Sequence, residues 1–281
     1  MDVSTTPEPA VFSAAAEKWL LGDPVSNNLL LSHATDPDGQ LPGDGQPAVF
    51  AWVSDGGQPV GAAWVMSPYR MTISAMPAPA AAALAEELAG RLPELPGVNG
   101  PEESAGAFAE RWREVRGGTA TRERDQWLMR CDSTPPASGA AGAARPARAD
   151  EVERIGQWYA AVMRDSGLAQ EKIARHTAHM ARTQFAGGRL IVWEVDGEPV
   201  GAAGWAKPIG GVVRPSGVFV SPDHRNGGYA GALLGEVTAR ALAAGAQACV
   251  CTHFLDYAAM QAVVERVGYR RVRDLTEYRF N

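Results

Sequence analysis

The chain has 281 residues, a length that is ample for two small α/β domains with buried cores. Hydrophobic residues make up 46% and charged residues 21%, which is typical of a globular protein and excludes disorder of the whole chain. The formal net charge is -6 and the 26 basic residues are scattered, so the sequence does not predict a nucleic-acid partner.

The sequence also argues against secretion and membrane insertion. The start, Met1 to Val3, is followed by neither a basic segment nor an apolar stretch, so we expect no signal peptide and a cytoplasmic protein. The alanine-rich run Pro77 to Ala85 is cut off by Glu86 and Glu87 and is too short to cross a bilayer. We therefore predict no membrane partner.

The three cysteines are few and odd in number, which favours a reducing compartment over a disulfide framework. Cys249 and Cys251 are two apart in a predicted strand, so their side chains point the same way. We interpret them as core residues, with metal ligation as the alternative, and we predict no metal site.

In the first half, helical spacing predicts an opening helix within Val11 to Leu31. Ala51 to Trp64, AWVSDGGQPVGAAW, is typical of a β-hairpin with a two-glycine turn. A strand at Met71 to Met76 and a helix at Ala80 to Arg91 follow.

A segment rich in Pro, Gly, Ala and Ser, Asp132 to Ala144, divides the chain. It has no large apolar residue with which to form a core, so it predicts a linker between domains at 1–131 and 145–281. Beyond it, Val192 to Trp205, VWEVDGEPVGAAGW, repeats the hairpin of the first half. Trp52 and Trp193 are 193 minus 52, or 141, positions apart, which indicates duplication of one fold.

The second half alternates helices and strands, which predicts an α/β fold: a mixed sheet with helices on both faces. The predicted elements are a helix at Glu151 to Met163, the hairpin, a strand at Ser216 to Val220, a helix at Tyr229 to Ala244, a strand at Ala248 to Thr252, a helix at Ala258 to Val267, and two short strands around Arg271 and Tyr278.

The turn before Tyr229 carries the main functional signal. Asn226, Gly227 and Gly228 have small or no side chains, so successive N–H groups can converge at the positive end of the following helix and bind a diphosphate. Arg225 adds a permanent positive charge. A turn that is glycine-rich only because it is tight is the alternative. Neither the Gly-x-x-x-x-Gly-Lys loop nor the dinucleotide fingerprint fits.

The run VFVSPDHRNGGYAGALL resembles motif A of the GNAT superfamily of acyl-coenzyme A (acyl-CoA) dependent N-acyltransferases, with Arg225, Gly228 and Ala230 in the three diagnostic places. VVERVGYRRV, at Val263 to Val272, is similar to the closing element of that family. The two ends of the chain resemble a group of two-lobed GNAT proteins whose substrates are mostly uncharacterised. The resemblance implies a tandem GNAT-like fold.

The resemblance implies that acetyl-CoA is the cosubstrate, with its diphosphate on the turn and its pantetheine arm along the strand before it. The neighbouring strand, Ala248 to Thr252, is expected to splay away, and an N–H group near Val218 to stabilise the oxyanion. The implied coenzyme contacts are Val218, Phe219, Val220, Arg225, Asn226, Gly227, Gly228, Tyr229 and Ala230.

The implied reaction is direct attack by a primary amine on the acetyl group. The family commonly has a glutamate base on the strand before the turn, but this chain has Arg214 to Gly217 there. His253 is the replacement candidate, with an exposed or hydrogen-bonded strand-end histidine as the alternative. The family's acid, a tyrosine, is replaced by Val264, and Tyr257 is the candidate in its stead. Glu194 and Asp256 are weaker candidates for the base.

The first lobe is expected to be degenerate, because Pro77 and Pro79 remove amide donors where its turn would be. A non-catalytic acyl-CoA binding or sensing protein is the alternative function, and a nucleotide-binding protein is a third. The acceptor is left open as an amine-bearing small molecule or peptide. The expected oligomeric state is monomer or homodimer.

Overall fold

The structure is a computed structural model that describes residues 1–35, 45–164, 170–256 and 258–281. The chain forms two compact units. The first comprises Met1–Leu128, Thr252–Asp256 and Val272–Asn281, and the second comprises Met129–Cys251 and Tyr257–Arg271.

Helices and strands alternate along both units. The helices are α1 (Pro9–Phe12), α2 (Lys18–Leu20), α3 (Asn28–Thr35), α4 (Ala78–Ala89), α5 (Glu102–Arg116), α6 (Val152–Val162), α7 (Gln170–Ala186), α8 (Tyr229–Ala243) and α9 (Ala258–Val267). The strands are β1 (Asp2–Thr6), β2 (Val49–Asp55), β3 (Gln58–Val65), β4 (Met71–Ile73), β5 (Gly97–Pro101), β6 (Ala120–Cys131), β7 (Ala143–Pro146), β8 (Leu190–Val195), β9 (Glu198–Trp205), β10 (Val212–Val213), β11 (Pro215–Val220), β12 (Ala248–Phe254) and β13 (Arg270–Phe280). Within the described part of the chain, no helix has the length and apolarity needed to cross a membrane.

In the first unit, strands β1 to β5 are neighbours in chain order, and β13 pairs antiparallel with β5. The β2–β3 hairpin turns at Gly56 and Gly57, both with positive φ, as predicted. Helices α4 and α5 cover the sheet and bury Leu84, Leu88 and Phe108.

The second unit has a four-stranded sheet in the order β11-β9-β8-β7, buried on both faces. The period of two along β8 sends Leu190 and Val192 into the core under α6, whereas Ile191 and Trp193 enter the core under α8. The prediction of a mixed α/β fold with helices on both faces is therefore confirmed.

Strand β13 corrects the prediction of two short strands at the C-terminus. It runs without a break over Arg270–Phe280, because Leu275 to Arg279 pair continuously with β5. Strands β6, β12 and β13 each have residues in both compact units. The residues from Val272 onward belong to the first unit, whereas the sequence-based division at 132–144 assigns them to the second domain.

The end of the predicted linker is a strand. Ala143 and Ala144 open β7 and pair with Glu194 and Trp193 of β8. A Cβ atom on Gly142 would lie 2.1 Å from the carbonyl oxygen of Glu194, so this close approach requires glycine. Small residues thus let the segment lie against β8 although they give no strand signal.

The opening helix is also interrupted where the sequence predicts one long element. A π-helical turn, Ser13–Glu17, joins α1 to α2, and α3 begins only at Asn28. Pro24 stands between them and has no N–H group with which to continue a helix.

Candidate functional site

The turn that joins β11 to α8 follows a backbone path that few residue types accept. Asn226 and Gly228 have φ angles of 67° and 80°, in the left-handed region that asparagine and glycine tolerate best. Arg225 is extended, and Tyr229 begins α8. Residues 222–228 are all exposed, so the turn is open to solvent.

The N-terminus of α8 presents backbone N–H donors. Gly228 stands at the N-cap, and within the described part of the chain no side chain makes a cap hydrogen bond there. The N–H group of Ala232 donates to the carbonyl oxygen of Gly228. The first N–H groups of an α-helix have no partner inside the helix, so the amides of Tyr229, Ala230 and Gly231 face the space before α8, where the helix dipole is positive. Such a place suits a diphosphate, which accepts several hydrogen bonds at once.

The two glycines of this turn are needed for different reasons. A Cβ atom on Gly227 would lie 2.5 Å from the ring of Tyr229, so the ring covers Gly227 and leaves no room for a side chain. A Cβ atom on Gly228 would have space, with the Cβ of Ala140 as its nearest neighbour at 3.9 Å. At Gly228 it is the positive φ angle that selects glycine.

Strand β11, which leads into the turn, has one edge outside its sheet. It pairs with β9 at the end of the four-stranded sheet, whereas β12 belongs to the other sheet. The register shifts between Ser216, opposite Gly204, and Phe219, opposite Ala202. Three steps on β11 therefore oppose two steps on β9, which is a β-bulge that leaves one residue out of the ladder.

The three predicted contacts on β11 differ in where their side chains lie. Phe219 is 7% exposed and stacks on Trp158 of α6, with ring centroids 5.2 Å apart. Val218 and Val220 are half-buried and pack on the core under α8. Because the side chain of Phe219 is buried, only its backbone could meet a pantetheine arm.

Two residues that sequence reasoning missed lie behind the bulge, namely Tyr159 of α6 and Gln184 of α7. They are 1% and 5% exposed and are hydrogen-bonded to each other. Burial raises the pKa of Tyr159 well above its ordinary value, so its hydroxyl stays protonated. Helical spacing of Ile173, Thr177, Ala181 and Gln184 was the available signal for α7 and its buried face.

His253, the candidate base, lies in the part of β12 that belongs to the first unit. It is 5% exposed, and its ring meets the ring of Trp127 edge-on at 5.5 Å. Nδ1 lies 3.1 Å from the carbonyl oxygen of Phe254, and a hydrogen bond there requires the proton on Nδ1. Nε2 then holds the lone pair that a base needs, but it is buried and without a hydrogen-bond partner among the described residues.

The other candidates differ in how they are placed. Tyr257 lies outside the described residues. Val264, at the position of the family's acid, is 2% exposed and belongs to the core. Asp256 is exposed and bonds to Arg124 at 3.1 and 3.2 Å.

Glu194 is held in an ion-pair cluster. Nε of Arg145 lies 2.6 Å from a carboxylate oxygen of Glu194, and both terminal nitrogens of Arg145 bind Glu151 at 2.6 and 2.8 Å. Hydrogen bonds from Arg145 hold the pKa of Glu151 below its ordinary value of 4.5. The cluster joins β7, β8 and the start of α6, which gives Glu194 a structural role.

Residues 214–217, where the resemblance implies a glutamate, begin with Arg214, which lies between β10 and β11. Burial lowers the pKa of Arg214 to about 10. The guanidinium nevertheless remains charged at neutral pH, so it cannot take a proton from an amine. No side chain of residues 214–217 is therefore a carboxylate base.

The corresponding helix start in the first unit is built differently. Pro77 stands at the N-cap of α4, and Pro79 lies in its first turn. Pro79 has no N–H group, so one of the amides that would meet a diphosphate is missing. The N–H groups of Ala80 and Ala81 are directed to the carbonyl oxygen of Pro77 at 2.9 and 3.1 Å.

Among the described residues, no group of three or more His, Cys, Asp or Glu side chains could hold a metal ion. Cys249 is fully buried, and burial raises the pKa of both Cys249 and Cys251 to about 12. Both thiols are therefore protonated at neutral pH. Cys249 is a core residue as predicted, whereas Cys251 is half-buried.

Comparison with solved structures identifies the fold. The chain is similar over 100% of both chains to an acetyltransferase from the GNAT family from Colwellia psychrerythraea, with a TM-score of 0.66 and 13% identity. It is similar to a GCN5-related N-acetyltransferase from Sphaerobacter thermophilus, with a TM-score of 0.63 and 20% identity, over 99% of this chain and 95% of the other. A tandem GNAT protein from the clavulanic acid biosynthesis pathway matches with a TM-score of 0.59 and 14% identity, over 99% and 98%.

The family assignment comes from the second half of the chain. Residues 153–269 match the family described as Acetyltransferase (GNAT) family, and this segment contains β11, the glycine turn and α8. No curated protein matches the sequence at a significant level. The family implies acyl transfer from an acyl-CoA to an acceptor. The whole chain thus has the fold of GNAT proteins, and residues 153–269 match the GNAT acetyltransferase family.

Proposed function

We propose that the chain transfers the acetyl group of acetyl-CoA to a primary amine of an acceptor by direct attack. The observation that carries the proposal is the exposed, uncapped N-terminus of α8 at Gly228, reached from a bulged strand with one edge outside its sheet. This arrangement lies within the segment that matches the GNAT family. We propose residues 145–281 as the catalytic domain and 1–131 as a degenerate lobe.

Binding of acetyl-CoA is assigned to backbone groups. The diphosphate accepts hydrogen bonds from the amides between Arg225 and Ala230, and the Arg225 guanidinium adds a positive charge. The pantetheine arm pairs with the outer edge of β11, at Val218 to Val220, as an added strand would. Apart from Arg225, the side chains of the turn contribute little, so we expect its glycines to be important for binding.

The reaction needs one nucleophile, one carbonyl and one leaving thiolate. The neutral amine nitrogen attacks the thioester carbon, an N–H group near Val218 stabilises the oxyanion, and the carbon–sulfur bond then breaks. The amine gives up a proton, and the CoA thiolate finally takes one. The products are an acetylated amine and free CoA.

Proton removal from the amine is the step for which the family's usual catalytic residue is missing. A lysine-like amine has a pKa of about 10.4 and is mostly protonated at neutral pH. Because residues 214–217 include no carboxylate, the base we propose is His253 acting through water, and Tyr257 is the proposed acid. The buried Nε2 of His253 must then become accessible when substrate binds.

The test is release of free thiol from acetyl-CoA in the presence of a panel of amines: a polyamine, an amino acid, an aminoglycoside and a peptide with a free N-terminus. We expect thiol release with at least one amine, and mass spectrometry should show the matching acetylated product. Thiol release without an acetylated amine would contradict the proposal.

A non-catalytic acyl-CoA sensor is the second candidate, favoured by the lack of a carboxylate at residues 214–217 and by Val264 at the acid position. Tight binding of acetyl-CoA without thiol release for any amine would support the sensor. Tighter binding of ATP than of CoA would contradict both candidates and favour a nucleotide-binding protein.

A further inference from the structure

A chain of three hydrogen-bonded side chains lies behind the bulge of β11. The hydroxyl group of Tyr159 donates to Oε1 of Gln184 at 3.1 Å, and Nε2 of Gln184 donates to Oγ of Ser216 at 2.7 Å. Tyr159 comes from α6, Gln184 from α7 and Ser216 from β11. Two helices that are separate in sequence are thus tied to one strand by polar contacts.

These three hydrogen-bonded side chains contact β11 at the bulge itself. Ser216 is the last residue in register before the bulge, and Gly217 follows it with a φ angle of 65°. A Cβ atom on Gly217 would lie 2.3 Å from the ring of Tyr159, so that ring fills the space where a side chain would stand. The backbone at the bulge is therefore held against Tyr159 from one direction and fixed through Ser216.

The neighbouring strand β9 also makes room for these hydrogen-bonded side chains. Gly204 of β9, opposite Ser216, would place a Cβ atom 2.1 Å from Oε1 of Gln184, so the amide group lies directly over Gly204. Two glycines on neighbouring strands, Gly204 and Gly217, thus make room for one tyrosine ring and one amide. A bulge that needed only apolar packing would not require this arrangement.

Burial makes these polar contacts selective. A buried hydroxyl or amide that loses its partner retains the cost of leaving water, so Tyr159 and Gln184 favour the one backbone conformation that satisfies both. Any movement of Ser216 away from Gln184 leaves the amide of Gln184 without its acceptor. The bulged conformation is thereby set before any ligand binds.

We infer that Tyr159, Gln184 and Ser216 are positioning residues that hold the bulge of β11 in the conformation from which its backbone N–H groups reach the acyl carbonyl. The inference rests on the proposed function. The three residues act through the backbone of β11 and are not assigned contacts with the thioester. A misplacement of about 1 Å at a reacting centre can reduce turnover about a hundredfold.

The first test compares steady-state kinetics of Gln184→Met and Tyr159→Phe with those of the unaltered chain. Both variants keep the volume of the side chain and remove hydrogen bonds. We expect kcat to fall about ten- to a hundredfold while the KM for acetyl-CoA changes less than about threefold, because the diphosphate turn is untouched. An unchanged kcat, or equal changes in kcat and KM, would overturn the inference.

The matched control is Thr177→Val on the same helix as Gln184. Thr177 is fully buried and its hydroxyl group donates to the carbonyl oxygens of Ile173 and Ala174, within α7. This variant removes a buried hydroxyl group without touching β11. A loss of kcat in Thr177→Val as large as that in Gln184→Met would assign the effect to general destabilisation and overturn the inference.

A second measurement separates this inference from the proposed function. Hydrogen exchange followed by mass spectrometry reports on the peptide containing β11 whether or not the chain has activity. We expect faster exchange in that peptide for Gln184→Met and for Ser216→Ala, and unchanged exchange in the peptide containing β8. Ser216→Ala is the milder substitution, because Ser216 is half-buried. Unchanged exchange in β11 would overturn the inference. Faster exchange in variants of a protein that shows no thiol release would uphold the role of the three residues and reject only the acetyltransferase proposal.

Discussion

The Cβ atom of Ala140 lies 3.9 Å from the position that a Cβ atom on Gly228 would occupy. The end of the segment 132–144 therefore lies beside the turn proposed to bind the diphosphate. Trp193 fixes this end, since its Nε1 donates to the carbonyl oxygen of Ala141 at 2.8 Å. A segment whose composition predicts only a linker thus forms part of the wall of the candidate site.

This contact predicts the effect of a bulky residue at position 140. Ala140→Trp places an indole ring beside the N-terminus of α8, so we expect the Kd for CoA to rise at least about tenfold, which corresponds to about 1.4 kcal/mol. Ala137→Trp, in an exposed part of the same segment, is the control and should leave the Kd unchanged. Isothermal titration calorimetry checks both, and equal Kd values for the two variants would contradict the assignment.

Gly228 and Gly57 form a matched pair for testing the turn. Their φ angles are 80° and 79°, and both are exposed. Apart from chain neighbours, no atom of the described residues lies closer than 3.9 Å to an added Cβ at either position. A valine at either position therefore causes similar backbone strain, about 1–3 kcal/mol. We expect Gly228→Val to abolish most of the CoA affinity and Gly57→Val to leave it intact, with similar losses in melting temperature. Parallel losses of CoA affinity in the two variants would count against a diphosphate site at α8.

The Arg145 cluster predicts a pH-dependent stability. The pKa of Glu151 is below 4.5 in the folded chain, so its contribution to stability is present above pH 4.5 and is lost as the pH falls through the folded-state pKa. Glu151→Gln should reduce the free energy of unfolding by about 2 kcal/mol at pH 7 and by less at lower pH. Urea unfolding at several pH values measures this, and a deficit that grows as the pH falls would be the wrong sign.

Glu277 is the control of opposite sign. Burial raises its pKa above 4.5, so the folded state binds a proton more tightly than the unfolded state does, and stability falls as the pH rises from 4.5 through the folded-state pKa. Glu277→Gln removes the ionisable carboxyl group and therefore the loss of stability that its ionisation causes as the pH rises. The stability of this variant relative to the unaltered chain should therefore improve between pH 4 and pH 7, whereas that of Glu151→Gln should worsen.

The raised pKa values of the Cys249 and Cys251 thiols predict slow chemical modification. With pKa values of about 12, Cys249 and Cys251 are thiolates in roughly one molecule in ten thousand at pH 8, and the thiolate is the form that reacts. Iodoacetamide should label neither of them in the folded chain and should label both in urea, as followed by mass spectrometry. Rapid labelling of Cys249 without denaturant would contradict its burial in the core.

Local signals were enough to predict the glycine turn and both hairpins. Gly228 adopts the left-handed conformation that a strand-to-helix turn needs, and α8 begins at Tyr229 as expected. Gly57 and Gly197 likewise turn the two hairpins with positive φ angles. In each case the residue type itself restricts the backbone, so neighbouring sequence is sufficient.

The features that could not be predicted depend on contacts distant in sequence. The continuity of β13 depends on pairing with β5, more than 170 residues earlier. The local sequence therefore does not distinguish one continuous strand from two short strands. Burial of His253 against Trp127 brings together two strands that are far apart in the chain. The same holds for Tyr159 and Gln184, whose pairing with Ser216 depends on the packing of α6 and α7 on β11.

The central claim is that the amides at the start of α8 bind the diphosphate of CoA. A crystal structure of the chain with CoA tests it most directly. We predict that the diphosphate oxygens lie within hydrogen-bond distance of backbone nitrogens between Arg225 and Ala230, with the pantetheine arm along Val218 to Val220. A diphosphate bound at the start of α4 beside Pro77, or anywhere away from Gly228, would contradict the account.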